Sequence, residues 1–424
     1  MTFMGQKMIE PGMKKIVIII TMSILALLSA SACTKQDPDR NEKEEDKVFE
    51  PIALTKAEQE IGNASNQFGF DVYHKLYEGK QMLVSPLSLS LALSMAANGA
   101  KGQTAEEMLS TLGFAGQSID DLNSYYQKMV NALLEADPKT TFEIANSIWA
   151  DEKIGVRKSF TDATAKYYSS EVFPADFNTQ ATVNAINKWC SDKTHGKIPS
   201  IMDKPDPRLV MALVNALYFK GTWSFEFDEK IRKEDFTSIE GNKSKVEMMT
   251  TSQLLSYGEY DGFKMVSLPY GNGAFSMDVI LPSKDEDFGK AVSRFNAETL
   301  RGLSRSLGRA KVNLKLPKFT FEYEASLNEI LQALGMKQAF TVEADFSAMA
   351  EKSLMISMVK QKTFIDVNEK GTEAAAVTVI GMVVTSVGPA PDPKTVDFFA
   401  DRPFFFVIRE NSTDAVLFIG QKVK

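Results

Sequence analysis

The spacing of apolar residues changes from helical to strand-like along the chain. After Thr55 the apolar residues recur at helical spacing, and Thr55 and Glu58 stand in the positions of a capping box, so a helix is predicted to begin there. The apolar positions of this helix are Ile61, Ala64, Phe68, Val72 and Leu76. A second helix is predicted to begin at Ser85-Pro86, and it is apolar on nearly every side, which indicates burial.

Strand-like runs dominate the second half of the sequence. They are Leu209–Phe219, Lys264–Leu268, Ser276–Leu281, Lys311–Phe321, Phe404–Ile408 and Val416–Ile419. Helices therefore cluster early and strands late, and no internal repeat is visible. This order indicates an α+β fold rather than alternating β/α units.

Composition and charge leave this picture unchanged and exclude some partners. Hydrophobic residues make up 44% of the chain and charged residues 24%, which is ordinary for a globular protein. The net charge of −7 and the lack of a dense Lys/Arg run argue against nucleic acid, and against an anionic membrane surface, as partners. The length of 424 residues allows one large domain or two smaller ones.

The first part of the chain has the organisation of a secretory signal. Lys14 and Lys15 are followed by the apolar run Ile16–Leu28 and then by small residues that end at Cys33. The apolar run is too short to span a bilayer comfortably. Residues 1–32 are therefore predicted to be a signal peptide, with Met13 as a candidate for the true start.

The small residues in front of Cys33 resemble a bacterial lipobox, in which the signal is removed before the cysteine and the thiol carries a lipid. Ala30 stands where that motif usually has leucine, and an ordinary cleavage near Ala32 is the alternative. Residues 33–54 are predicted to be a disordered tether, because they are polar and highly charged. We expect an extracytoplasmic protein that contacts a bacterial membrane only through lipid on Cys33, at the outer membrane or cell surface, with release as the alternative.

Few residues of the sequence offer catalytic chemistry. Its only histidines are His74 and His195, and neither lies in a zinc-binding or nucleophile motif. A Ser-His-Asp triad assembled from distant residues stays compatible with the sequence, but no motif favours one. No catalytic residue, metal site or cofactor is therefore predicted. If Cys33 is lipidated, Cys190 has no disulfide partner, and its place after Trp189 in a predicted helix favours a buried structural role.

Residues 371–386 combine the properties of a loop and of a buried strand. They follow a plausible strand, Thr363–Val367, and lead into a Gly/Pro cluster at residues 388–393, which is typical of an exposed loop. Read with a period of two, one face is uncharged, and the other carries Glu373. The uncharged face consists of Thr372, Ala374, Ala376, Thr378, Ile380, Met382 and Val384. Such a segment could switch between loop and strand, and an ordinary hairpin is the alternative.

The stretch Asn368–Ala376 resembles the hinge of inhibitory serpins, and further matches follow in family order from about residue 60 to the end. These matches are Ser85–Ser88, Asn98–Thr104, Asn187–Trp189, Thr194–Ile198, Val214–Trp223, Leu316–Phe319, Leu334–Met336, Asp401–Phe406 and Phe418–Gly420. The chain is identified as a member of the serpin family, of a bacterial lipoprotein type. The resemblance implies an α+β fold with three β-sheets, about nine helices, and one domain over residues 55–424 with a reactive loop at about 369–393.

The resemblance also implies a function. Serpins of this type are attacked as substrates by a serine or cysteine endopeptidase and form an acyl-enzyme. The cut loop then inserts as a new strand into the large sheet and distorts the protease. We therefore expect an inhibitor rather than an enzyme, monomeric, without a cofactor and covalently bound to its target proteases. A non-inhibitory serpin, acting as carrier, chaperone or decoy substrate, is the alternative.

The resemblance assigns the hinge residues their roles, position by position. The hinge comprises Glu369, Gly371, Thr372, Glu373, Ala374, Ala375, Ala376 and Thr378. Gly371 would let the backbone swing, since it has no side chain. Thr372 would be the first side chain to enter the sheet. It and the alternate residues that follow must be small and uncharged, because burying an unpaired charge costs several kcal/mol.

Two further clusters are implied around the large sheet. Glu369 and Lys318 match a salt bridge close to Trp223 that would act as a latch against early opening, and an exposed pair worth about 0–1 kcal/mol is the alternative. The polar cluster where the central strands part would comprise Ser85, Ser88, Asn215 and Gln361. Gln361 stands where the family usually has histidine, so this cluster would keep its hydrogen bonds and lose the pH sensitivity of an imidazole.

The scissile bond is predicted between Thr385 and Ser386, sixteen residues past Glu369. The chain between the hinge and Pro403 is longer than in common serpins, so the register is open to slippage. Met382, Val383 and Val384 are the alternative cleavage positions. All these residues are small or medium in size and uncharged, which favours elastase-like or subtilisin-like targets over trypsin-like ones.

Overall fold

The computed structural model describes residues 48–228, 230, 232–372 and 393–424. These residues form nine α-helices and fifteen β-strands, and the α+β class predicted from the apolar pattern is confirmed. The predicted signal peptide, Cys33 and most of the predicted tether lie outside the described residues. Within the described ranges, no helix has both the length and the apolar character needed to cross a membrane.

The first two helices begin where the local sequence predicts. Thr55 caps the first helix, since its Oγ1 accepts from Glu58 N at 3.3 Å and its own backbone N donates to Glu58 Oε2 at 2.7 Å. The second helix is buried along its whole length, because it lies between the two sheets described below. The helices are α1 Lys56–Leu76, α2 Pro86–Ala97, α3 Gly102–Thr111, α4 Ile119–Glu135, α5 Lys158–Tyr168, α6 Gln180–Lys193, α7 Phe288–Arg294, α8 Ala297–Ser306 and α9 Asn328–Ala333.

Residues 48–54, which precede α1, lie against the domain. The side chains of Phe49, Ile52 and Leu54 are half-buried and pack on the main core. The backbone N of Ile52 also donates to Ser412 Oγ at 2.9 Å, near the far end of the sequence. The packed part of the chain therefore begins ahead of Thr55.

Removing residues 48–54 should destabilise the domain. Three partly buried apolar side chains and one hydrogen bond are lost, which corresponds to about 3 kcal/mol. We expect a chain that starts at Thr55 to unfold a few degrees below one that starts at Val48, measured by thermal unfolding. The chain that starts at Val48 is the matched control, because it also lacks residues 1–47. Equal thermal midpoints would show that the packing of residues 48–54 contributes no stability.

The strands form two hydrogen-bonded sheets. The nine-stranded sheet has the order β1-β15-β14-β8-β7-β6-β9-β13, with β5 paired to β6, and the six-stranded sheet has the order β10-β11-β12-β4-β2-β3. The strands are β1 Met82–Val84, β2 Thr140–Asp151, β3 Glu171–Ala175, β4 Met211–Thr222, β5 Arg232–Thr237, β6 Lys243–Tyr260, β7 Phe263–Pro269, β8 Phe275–Pro282, β9 Gly308–Pro317, β10 Phe319–Ser326, β11 Met358–Asn368, β12 Gly371–Thr372, β13 Thr395–Phe399, β14 Phe404–Glu410 and β15 Val416–Lys422.

A third, separate sheet is not confirmed among the described strands. The reason lies in β6, whose eighteen residues pair with β5 along their first part, with β9 along their middle and with β7 along their last part. Because this strand is continuous, it joins the two groups of strands into one hydrogen-bonded unit.

The predicted single strand Lys311–Phe321 is wrong in one respect. The chain leaves β9 at Pro317 and enters β10 at Phe319, so the two strands belong to different sheets. Pro317 has no backbone N–H to continue a ladder, and the N–H of Lys318 donates to the carbonyl of Glu247 at 2.8 Å. Lys318 therefore stands at the crossing between the sheets.

The six-stranded sheet is covered on both faces. One face belongs to the main core with α2, and α6 packs on the other face around Trp149, Ile186 and Trp189. Cys190 is a buried free thiol in this second cluster, and burial raises its pKa to about 12. The structural role predicted for Cys190 agrees with this position.

Candidate functional site at the opening of the six-stranded sheet

The central strands β4 and β11 of the six-stranded sheet are paired at one end and separated at the other. Met358–Gln361 pairs in parallel with Ala212–Asn215. Farther along, β12 lies between the two strands and pairs with both of them. An opening in the sheet therefore begins just after Asn215 and Gln361.

Two hinge residues already occupy the far end of this opening. Gly371 has φ +150°, and a Cβ atom there would lie 2.0 Å from the carbonyl oxygen of Gly221, so no other residue fits. Thr372 is 3% exposed, and its Oγ1 lies 2.6 Å from the hydroxyl of Tyr270. The first side chain predicted to enter the sheet is thus buried in it before any cleavage.

Tyr270 and Trp223 form the floor beneath the hinge. The two rings stack at 4.5 Å with an angle of 12° between their planes, and both are fully buried. Trp223 also fixes the turn before the hinge, because its Nε1 donates to Asn368 O at 2.9 Å and its backbone N donates to Lys370 O at 3.1 Å. Sequence reasoning missed Tyr270, since its contact with Thr372 joins positions 102 residues apart.

Lys318 and Glu369 form an ion pair beside this turn. Their Nζ and Oε2 atoms lie 2.5 Å apart, and Glu247 is a second, more distant partner of Lys318 at 4.0 Å. The pKa of the Glu369 carboxyl is lowered. Burial is the largest influence and acts in the opposite direction, but the hydrogen bonds from Lys318 and from backbone, together with nearby positive charge, outweigh it.

Acid should weaken this ion pair. Because the folded-state pKa of Glu369 lies below the ordinary value, the carboxylate contributes stability above that ordinary value, and the contribution disappears as the pH falls through the folded-state pKa. Both side chains are partly exposed, so the pair is worth at most about 1 kcal/mol. We expect Glu369→Gln to lower the thermal midpoint at pH 7 by about 1 °C and to have a smaller effect at pH 3. Glu60→Gln on the exposed face of α1 is the control, and an identical shift at both pH values would exclude the latch.

A buried polar cluster stands where β4 and β11 part. Gln361 accepts from Ser85 N at 2.9 Å through Oε1 and donates to Ser85 O at 3.1 Å through Nε2. Asn215 accepts from Ser88 Oγ at 2.5 Å and donates to Asn146 Oδ1 at 2.6 Å. The four residues predicted for this cluster are thus brought together, and none of the described side chains in it is titratable.

Asn146 is a member of this cluster that sequence reasoning missed. It lies directly opposite Asn215 on the neighbouring strand β2. No local motif marks it, and only the register between β2 and β4 reveals its position. Its Oδ1 accepts from Asn215, so the cluster ties α2 and three adjacent strands together at the start of the opening.

Residues 194–201, which follow α6, cross over the opening. On one side, His195 Nε2 lies 3.1 Å from Glu143 Oε1 on β2, and its ring packs on Tyr218 of β4. On the other side, Lys360 and Lys362 of β11 donate to the carbonyls of Ile201 and Ser200. A strand that enters the sheet would therefore pass beneath this segment.

The remaining predicted residues carry no catalytic constellation in the described ranges. His74 Nε2 contacts the carbonyl oxygen of Phe295 at 3.0 Å, and His195 contacts a carboxylate. The described residues include no group of three or more His, Cys, Asp or Glu that could hold a metal ion. Further predicted residues lie outside the described ranges: Glu373, Ala374, Ala375, Ala376, Thr378, Met382, Val383, Val384, Thr385 and Ser386.

Comparison with known proteins decides the family. The family model described as serpin (serine protease inhibitor) matches residues 63–424. The chain belongs to the serpin family. Serpins are in general inhibitors of proteases rather than enzymes. Intracellular coagulation inhibitor 2 of Tachypleus tridentatus is 36% identical over 381 residues, which cover 86% of this serpin and 91% of that protein.

Solved structures give the same answer for the fold. The crystal structure of tengpin, a thermophilic serpin, in its native state is similar to this serpin with a TM-score of 0.78 and 34% identity, covering 89% of this chain and 97% of tengpin. Its latent state gives a TM-score of 0.74 with 32% identity, covering 88% and 100%. The serpin fold is thereby confirmed.

Proposed function

We propose that this serpin is a suicide-substrate inhibitor of endopeptidases, chiefly of the serine class and also of the cysteine class, and has no enzymatic activity of its own. The observation that carries the proposal is the hinge. Gly371 and Thr372 lie inside the open end of the six-stranded sheet, directly ahead of residues 373–386, and Thr372 presents a small uncharged side chain to a buried site. A strand that begins in this way can continue down the opening.

The chemical step belongs to the protease. Its nucleophilic oxygen or sulfur attacks the carbonyl carbon on the N-terminal side of the scissile bond, which we place at Thr385–Ser386. The C–N bond breaks, the new amine of Ser386 leaves with a proton, and an acyl-enzyme remains. Insertion of residues 374–384 then has to outpace hydrolysis of that ester or thioester, and the alternating small residues Ala374, Ala376 and Thr378 allow it.

The alternative of a non-inhibitory serpin has less support. A carrier or decoy needs no hinge that enters the sheet, and a bulky or charged residue at the first buried position would favour it. Thr372 is neither bulky nor charged, and the cavity around it is closed by Tyr270 and by the backbone of Gly221.

Titration of protease activity tests the proposal. Increasing amounts of the serpin are incubated with pancreatic elastase, subtilisin and trypsin, and residual activity is measured after dilution. We expect irreversible inhibition of elastase or subtilisin with an end point near one serpin per protease, and weak inhibition of trypsin. Full recovery of the activity of all three proteases, with the loop cut, would favour the hypothesis of a decoy substrate.

We also propose that the mature protein is a monomeric bacterial lipoprotein outside the cytoplasm, held to a membrane only by lipid on Cys33. The support is the order of basic, apolar and small residues before Cys33 and the charged residues after it. Expression with radiolabelled palmitate should label the wild-type chain and leave Cys33→Ser unlabelled. Label on the Cys33→Ser variant, or cleavage near Ala32 in the wild type, would contradict it.

A further inference from the structure

Four exposed cations gather at one end of β9. Arg305 lies in the last turn of α8, and Arg309 and Lys311 follow on β9. Because side chains alternate along a strand, Arg309 and Lys311 share one face of the sheet. Lys394 precedes β13, and its carbonyl accepts from Lys311 N at 2.9 Å. We call Arg305, Arg309, Lys311 and Lys394 the basic patch.

The basic patch is not neutralised within the part of the chain that the structure describes. None of its four side chains has a carboxylate within ion-pair distance among those residues. Asp414, in the turn after β14, pairs with Arg409 at 2.8 Å. Asp397 on β13 accepts from the amide of Asn313 at 2.8 Å and keeps its negative charge, which offsets part of the patch. The whole chain has a net charge of −7, whereas the surface at the basic patch is positive.

The basic patch lies beside the point where the reactive loop returns to the fold. β13 is parallel to β9, and Thr395 is the partner of Lys311. From Ser386 to Lys394 there are eight residue steps, which span at most about 30 Å. A protease domain of about 230 residues has a radius of gyration near 17 Å, so a protease attached to the scissile bond would face this end of β9. Leu254, the partner of Lys311 on β6, is 44% exposed there.

We propose that the basic patch is a docking surface for an acidic region beside the active site of the target protease. The proposal rests on the function proposed above and adds the kind of partner. The loop sequence restricts the primary specificity, whereas the basic patch selects among proteases with the same specificity by their surface charge. Charge complementarity of this kind raises the rate of encounter rather than the yield of the trapped complex.

A polyanionic chain is the competing occupant of such a surface. The position of the patch favours the protease, because Lys394 is the last residue before the strand that anchors the loop. The four cations also cover a short length, since Arg309 and Lys311 are about 7 Å apart along β9. A long polyanion binds along an extended track of positive charge, whereas the basic patch is compact.

The test compares one protease in two charge states. Succinylation of surface lysines makes pancreatic elastase more acidic, and its second-order rate of reaction with the full chain is measured at low and high salt. We expect succinylated elastase to react about 10-fold faster than native elastase at low salt, with the difference lost at high salt. Arg309→Glu with Lys311→Glu should abolish this preference, whereas Lys153→Glu with Lys352→Glu, an equal charge change elsewhere on the surface, should preserve most of it.

Several outcomes would overturn the proposal. If both double variants lose the preference for succinylated elastase equally, the preference is an effect of net charge alone. Saturable binding of heparin that requires the basic patch, together with no dependence on protease charge, would assign the patch to a polyanion. If no covalent complex forms with any protease, the proposed inhibitory function fails, and the rate of loop cleavage by the two forms of elastase still tests docking, because cleavage begins with the same encounter.

Discussion

Thr372→Arg should turn this serpin from an inhibitor into a substrate. Thr372 is buried between β4 and β11 and contacts the hydroxyl of Tyr270, with no acidic side chain among its described contacts. Arginine would leave the sheet in the uncut chain, because burying its unpaired charge costs several kcal/mol, and insertion after cleavage would then have to bury that charge. Insertion slows by about 10-fold for each 1.4 kcal/mol added to its barrier. Hydrolysis of the acyl-enzyme is then faster than insertion. We expect the number of serpin molecules consumed per inhibited protease to rise at least about 10-fold.

Thr372→Val is the matched control for this change. It removes the hydroxyl and keeps the branched shape and the absence of charge, so the strand still enters and the ratio stays near that of the wild type. The rate of loop cleavage separates the two effects, because Thr372→Arg should be cut at least as fast as the wild type. If Thr372→Arg traps protease as efficiently as Thr372→Val does, trapping does not depend on burial of residue 372 in the sheet.

Asn215→Leu should cause the largest loss of stability among single changes around the opening. Asn215 is the last residue at which β4 pairs with β11, and its amide joins Ser88 on α2 to Asn146 on β2. Leucine would leave these two buried groups without their partner, at about 1–3 kcal/mol each. We expect the free energy of unfolding in denaturant to fall by about 2–6 kcal/mol.

The same variant should lose its inhibitory form spontaneously. With the polar cluster broken, β4 and β11 are held less firmly at the start of the opening, so the uncut loop enters the sheet more readily. Incubation at 37 °C followed by protease titration measures this loss. Asn184→Leu on the exposed face of α6 is the control, since its side chain is exposed and its amide accepts from Gln180 on its own helix. Equal behaviour of the two variants would show that the cluster does not guard the opening.

Local signals in the sequence were sufficient for much of the fold. The capping residues Thr55 and Glu58 begin α1 as predicted, and the unbroken apolar character of α2 matches its position between two sheets. The strand pattern failed at Lys318, where a single apolar run passes from one sheet to the other. Periodicity records which faces of a strand are buried and contains no information on which sheet buries them.

The residues of the candidate site were likewise predicted only in part. Family motifs were enough to select Ser85, Ser88, Asn215 and Gln361, and these side chains do meet. Asn146 and Tyr270 were missed because each joins the site through a contact across strands or between distant turns. The motifs also carried no sign that Thr372 is buried before cleavage, since its side-chain environment depends on the register of β12 between two other strands.

The most direct test of covalent trapping is the mass of the species formed with elastase or subtilisin after denaturation. The account predicts a complex whose mass equals the sum of chain and protease minus a C-terminal peptide that begins at Ser386, with the peptide found separately. Cut chain and unmodified protease as the only products, in a sample whose protease activity has been lost, would contradict covalent trapping.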